Sequence, residues 1–181
     1  MASPLTHAIV GVTLAAVHGV KPRPVAPWWL AIFCAVAPDV DALGYWWGVP
    51  YASFWGHRGF THSIAFAVLI GWGCTWWTGG SPAMSGVRLW SLYFMATLSH
   101  GLLDALTDGG LGVAFFSPVD QSRYFFPVRP IHVSSMSLRD LLGPHGLEVL
   151  ANEIQWVWIP CGLVAALWWW NRGHHPVSSS G

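Results

Sequence analysis

The amino-acid sequence predicts an all-α protein, an integral membrane bundle of about five apolar helices with two long polar loops on one face. Three observations carry that expectation. Of the 181 residues, 54% are hydrophobic and only 9% charged, against roughly 25% charged in an ordinary soluble domain. Fourteen Trp and nine Phe suit side chains that gather where an apolar slab meets headgroups and water. Finally, Pro, Gly and charged residues cut the chain into five apolar runs, near 5–20, 26–38, 62–78, 88–107 and 150–170. Most are a little shorter than the roughly 20 residues of a spanning helix.

The first run follows no basic segment of the kind that opens a cleavable signal peptide, so it is expected to be retained. KPRPV, residues 21–25, is a basic turn whose prolines stop one helix and start the next. The second run is the weakest. It either continues through Asp39 to Trp47 or enters the apolar layer without crossing it. Residues 79–87, GGSPAMSGV, form a flexible loop before the fourth run. The segments 39–61 and 108–149 are long and hold most of the remaining polar residues, and long connections are more often functional than idle. Residues 1–172 are read as one domain and 173–181 as a disordered tail. Cys34, Cys74 and Cys161 sit singly in separate apolar runs and read as small core residues. The net charge is zero and no basic stripe appears, so no nucleic-acid partner is expected.

The fourth run ends in SHGLLDALTDG, with His100, Asp104 and Asp108 four residues apart and therefore on one helical face. Threading the runs as alternating spans brings His7, Asp39, Asp41, His57 and His62 to the same end. Glu148 and Glu153 land there as well. Lys21, Arg23, Arg88 and Arg172 fall at the other end, which the positive-inside rule makes cytoplasmic, so the His/Asp face is expected to point outward in the inner membrane. Arg58 is the one basic residue inside the short segments that carry these groups. Several carboxylates in so apolar a setting repel and raise one another's pKa unless a divalent cation neutralises them. A mixed His/Asp set suits zinc and also accepts manganese or iron.

Thr6–His7, PDVD (Pro38 to Asp41), HRGFTHS (His57 to Ser63) and HGLLDALTDGG (His100 to Gly110) together resemble the YdjM family of membrane-bound metal-dependent hydrolases. More distantly they are similar to zinc-dependent phospholipase C and the S1/P1 nucleases, which are all-α. The resemblance implies one metal held by Asp39 or Asp41, by His57 or His62, and by His100 and Asp104. A second ion would use His7 and share Asp104 as a bridge. Of the open pairs, Asp39 and His62 are assigned to metal. Asp41 or Asp108 is assigned to orienting a water or acting as base, His57 to protonating the leaving group, and Arg58 to a phosphate oxyanion. The soluble enzymes carry a third ion, for which His132, His145 and Glu148 or Glu153 are candidates only at unmatched spacing.

One or two zinc ions would lower the pKa of a water and polarise a phosphoryl oxygen. The expected substrate is lipid-like or phosphorylated, with membrane lipids as neighbours. Tyr45, Trp46, Trp47, Tyr51, Phe54 and Trp55 would form an interfacial shelf, and FFSPVDQSRYFFPVRP a lid with Arg123 and Arg129 available to an anionic headgroup. The absence of HExxH disfavours a metalloprotease. The non-enzyme alternative is a metal or proton transporter lined by the same His/Asp face.

Overall fold

The computed structural model describes residues 1–21, 26–79, 84–134 and 143–174. Arg23, Arg139, His175 and the expected tail beyond residue 174 lie outside the described residues.

Helix α1, Pro4–Val17, begins where Ser3 Oγ accepts the Thr6 amide and Pro4 occupies the first turn. Helix α2, Ala26–Val36, gives way to 3₁₀ turns over Ala37–Trp47 that stop at Gly48, φ 74°. Pro38 lacks an N–H to continue an α-helical ladder, so the chain tightens here and does not end. Helix α3, Ile64–Trp77, is capped by Ser63, and α4, Gly86–Ala105, by Ser85. Helix α5, Pro144–Glu153, passes through one π turn, Ile154–Trp158, into α6, Ile159–His174. Pro160 cannot donate to the carbonyl four residues back, and the π turn absorbs that missing bond. The expected loop 108–149 therefore ends by residue 143. By length and composition two helices suffice to cross a membrane, Ala26–Trp47 and Pro144–Arg172, while α1 and α3 are apolar but shorter. Five apolar spans are not what these lengths give. No strand occurs among the described residues, which include the isolated bridges Thr107–Ile131 and Val113–Tyr124.

Helix α4 is central and packs on α1, α2 and α3, while α6 lies against α1. Small side chains allow close approach, with Ala15, Ala31, Cys34, Ala35 and Ala96 buried in the main cluster. Cys74 and Cys161 are only half-buried, and Cys34 and Cys74 face each other with sulfurs 3.6 Å apart. The distribution of polarity runs opposite to that of a soluble protein. Arg58, His7, His100 and Glu153 rank among the largest fully buried side chains, while Trp29, Trp72, Trp76, Trp77, Leu167 and Trp169 are exposed.

Two loops close the end where α1 and α3 start and α4 stops. The Ala114 amide donates to Arg58 O, Ile64 to Phe115 O and Phe126 to Ala105 O, each at 3.0 Å. Gly101 lets α4 meet this layer, since a Cβ there would lie 2.8 Å from His62 O. A buried helical Gly→Ala change ordinarily gains about 1 kcal/mol of propensity. Gly101→Ala is expected instead to cost about 1–3 kcal/mol through overpacking, read as a lowered melting temperature of the detergent-solubilised protein. An unchanged or raised melting temperature would contradict this packing.

Candidate metal centre

The last two turns of α4 present His100 and Asp104 on one face, both fully buried. The His100 Nδ1–H donates to Ala35 O at 2.7 Å. A carbonyl only accepts, so in the neutral ring Nε2 carries a lone pair. That nitrogen lies 3.2 Å from Asp39 Oδ1 on the 3₁₀ extension of α2. His62 repeats the arrangement. Its Nδ1 lies 3.1 Å from Asp41 Oδ2, and its Nε2 is 3.6 Å from Asp104 Oδ2 and 3.9 Å from Asp39 Oδ1. Imidazole nitrogens thus face carboxylate oxygens, an arrangement that calls for positive charge between them, as a metal ion or as a proton on the ring.

Ligand atoms of Asp39, His62, His100 and Asp104 all lie within 4.8 Å of one another. Tetrahedral zinc at its usual bond lengths places ligand atoms on the order of 3.3 Å apart. Among the described residues, eight buried side-chain nitrogen or oxygen atoms lack a hydrogen-bond partner. Seven of them belong to His7, Asp39, His57, His62 and His100. Buried polar groups are otherwise almost always paired. The residues present fit a divalent metal, and the imidazoles of His57, His62 and His100 each have the backbone or carboxylate partner that fixes ring orientation around such ions.

Asp104 connects the two sides of this cluster. Its Oδ1 accepts the Ala2 amide at 2.9 Å and lies 3.7 Å from His7 Nε2, while Oδ2 accepts Arg58 Nε at 2.9 Å. His7 stacks on His100 with ring centroids 3.6 Å apart. His7 therefore stands beside the carboxylate oxygen of Asp104 that faces away from His62.

The structure revises several assignments made from the sequence. Arg58 is fully buried at φ 63°, a left-handed conformation rare for a side-chain-bearing residue. Its guanidinium donates to Asp104, to Gly109 O at 2.7 Å and to Thr107 Oγ1 at 2.9 Å. It neutralises Asp104, so it is not free to bind an incoming phosphate. Asp41 is not a water-orienting base, because its oxygens already accept from His57 Nδ1 at 2.7 Å, His62, the Thr61 hydroxyl and the Arg58 amide. It positions two imidazoles. Asp108 lies outside the cluster, half-exposed, and accepts from His132 Nδ1 at 2.8 Å and the Val133 amide. Arg123 is not available to a headgroup, since it donates to the carbonyls of His57, Tyr51 and Ser53. Arg129 remains exposed, over the Phe125 ring. The third-ion candidates are scattered. His145 and Glu148 are exposed, His132 is with Asp108, and Glu153 accepts from Ser3 and Thr6. Thr61, Thr107 and the Glu153 network had no sequence signal beyond a lone Glu in an apolar run.

Burial lowers the His57 pKa against the pull of Asp41. Burial acts the same way on His62, but the carboxylates of Asp104 and Asp41 outweigh it and raise the imidazole to about 9. The two carboxylates therefore favour the protonated form of His62 in the metal-free protein.

Such a fold and site define a membrane protein with a buried His/Asp cluster able to hold a metal ion. The chain belongs to the YdjM inner membrane protein family, whose sequence model it matches over residues 1–175. It is similar to the Inner membrane protein YbcI of Escherichia coli (strain K12), at 35% identity over 177 residues covering 95% of this chain and 99% of that protein. No solved structure matches.

Two substitutions separate metal binding from folding. Both Asp39 oxygens lack partners, so Asp39→Asn is expected to leave the metal-free melting temperature unchanged or raised while bound metal falls by tenfold or more. Asp104→Asn breaks the buried pair with Arg58 and is expected to cost about 3–5 kcal/mol. Equal destabilisation by both would contradict the geometry. Because His62 must lose its proton to ligate, calorimetry of zinc binding at pH 7 in buffers of different ionisation enthalpy should show release of about one proton per ion. Affinity should rise with pH up to about 9. Binding without proton release would contradict this assignment.

Proposed function

We propose that the chain is a multi-pass inner-membrane enzyme, a metal-dependent hydrolase that cleaves phosphoesters in lipid-like or headgroup substrates. Its site is mono- or dinuclear, of zinc type with manganese as an alternative, and faces the extracytoplasmic side. The observation that supports this reading above the others is the convergence of seven unpartnered buried atoms from α1, the 3₁₀ extension of α2, the 57–62 turn and α4. A divalent cation bound there supplies Lewis acidity and a lowered pKa for water.

The chain's own residues divide the remaining work. Asp39, His62, His100 and Asp104 hold the ion, and His7 extends the set on the far side of Asp104. Asp41 and the Ala35 carbonyl fix imidazole tautomers, and Arg58 keeps the Asp104 carboxylate ionised and in place. His57 is tethered at Nδ1 by Asp41 and has Nε2 free. Burial keeps it neutral, so Nε2 takes a proton from the attacking water and returns it to the leaving oxygen. Tyr45 and Tyr51 rings flank His57, with centroids 6.2 and 5.4 Å away, and with the exposed Trp46, Trp47 and Trp55 they favour an interfacial substrate. An apolar cavity of about 410 Å³ lined by Val10, Leu103, Leu106, Ile131 and Val157 suits an acyl chain.

The test uses full-length protein purified in mild detergent, assayed against a phosphomonoester, a phosphodiester and phospholipid. Hydrolysis that is abolished by chelation and restored by zinc or manganese is expected, with phospholipid preferred. His57→Ala should lower kcat by about 10²–10⁴-fold while retaining bound metal. Metal-loaded protein that cleaves none of these but carries zinc or protons across proteoliposomes would replace the hydrolase with a transporter.

A further inference from the structure

The end of the bundle opposite the His/Asp cluster holds a second arrangement of charge. Arg88 lies in the first turn of α4 and Arg172 near the end of α6, far apart in sequence. Both guanidinium groups converge on Gly19, just beyond α1. A Cβ on Gly19 would lie 2.8 Å from Arg172 Nη2 and 2.9 Å from Arg88 Nη2, and the residue has φ +68°. Glycine is therefore what gives the two cations room to meet. Arg172 is also held over the Trp168 ring, 4.2 Å from its centroid. Lys21 follows within two residues, its carbonyl accepting from Trp28 Nε1 at 2.9 Å.

Two like charges against one point repel unless an anion lies between them. Among the described residues neither Arg88 nor Arg172 has a carboxylate partner. The described acids all lie on segments at the other end. The same end carries a crown of exposed indoles, Trp29, Trp76, Trp77, Trp169 and Trp170. Such a belt marks headgroup depth in a membrane.

We propose that Arg88 and Arg172 form a binding site for the phosphate of an anionic phospholipid on the cytoplasmic face. The proposal rests on the membrane reading above but not on hydrolysis. A guanidinium pair matches phosphate oxygens in geometry and charge, and basic pockets between helices at this depth hold anionic headgroups. The lipid's acyl chains run beside α6, whose Leu163, Val164 and Leu167 are exposed.

The test is native mass spectrometry of the full chain in detergent, titrated with phosphatidylglycerol or phosphatidylcholine, with bound metal measured in the same preparations. Wild-type protein is expected to retain phosphatidylglycerol in preference. The double variant Arg88→Gln/Arg172→Gln is expected to lose about 10- to 30-fold in that affinity with metal content unchanged. The Arg88→Lys/Arg172→Lys variant should keep part of the preference. Equal retention of the two lipids by wild type overturns the proposal whatever the variants do. So does an undiminished preference in the metal-loaded glutamine variant. Displacement of the lipid by millimolar inorganic phosphate would assign the site to a soluble anion and overturn the lipid assignment. No arm depends on turnover, so failure here leaves the hydrolase reading standing.

Discussion

The buried ion pair between Arg58 and Asp104 is the interaction on which the rest of the site depends. Asp104 is wholly removed from water, where an uncompensated carboxylate is very costly. Meeting that requirement fixes three things together. The 57–62 turn must fold so that a left-handed Arg58 points inward. The loop after α4 must curl back so that Thr107 and the Gly109 carbonyl accept the remaining guanidinium donors. The start of the chain must lie across α4 so that the Ala2 amide reaches Oδ1. Once those segments are anchored, His7, His62 and His100 have little freedom left. Positive φ at Arg58 is local strain of the kind that persists where surrounding contacts over-determine a residue.

Against that compensated pair, Asp39 stands out. It has no donor on either oxygen and two imidazole nitrogens nearby. Asp41, two residues on, has four donors. The contrast separates support from ligand within one short motif, and it follows from the tight turns after Pro38, which send the two carboxylates in different directions. The His/Asp cluster and the converging arginines lie at opposite ends of the bundle. This polarity arises because helix starts and stops alternate between the two ends.

Much of this was legible in the sequence because it rests on local periodicity. His100 and Asp104 sit one turn apart on an apolar helix, and alternation of helices brings the PDVD and HRGFTHS segments to them without any long-range information. The roles within the cluster were less legible. That Arg58 points at Asp104 and not outward depends on a backbone dihedral. The removal of Asp108 from the site depends on His132, which lies in an irregular segment with no pattern to place it. The bond network of Glu153 with Ser3 and Thr6 links opposite ends of the chain, and the π turn before Pro160 let one helix begin six residues earlier than the apolar run did. Composition indicated a membrane protein, but helix lengths are set by caps and prolines, and α1 and α3 come out shorter than a full span.

The central claim is that Asp39, His62, His100 and Asp104 enclose a metal ion. X-ray absorption at the zinc K-edge on metal-loaded, detergent-solubilised protein tests it most directly. The geometry predicts a first shell of nitrogen and oxygen alone at about 2.0–2.2 Å, with the outer-shell scattering of at least two imidazoles. A sulfur shell near 2.3 Å would move the ion to Cys34 and Cys74, and a shell without imidazole would remove it from the His/Asp cluster altogether.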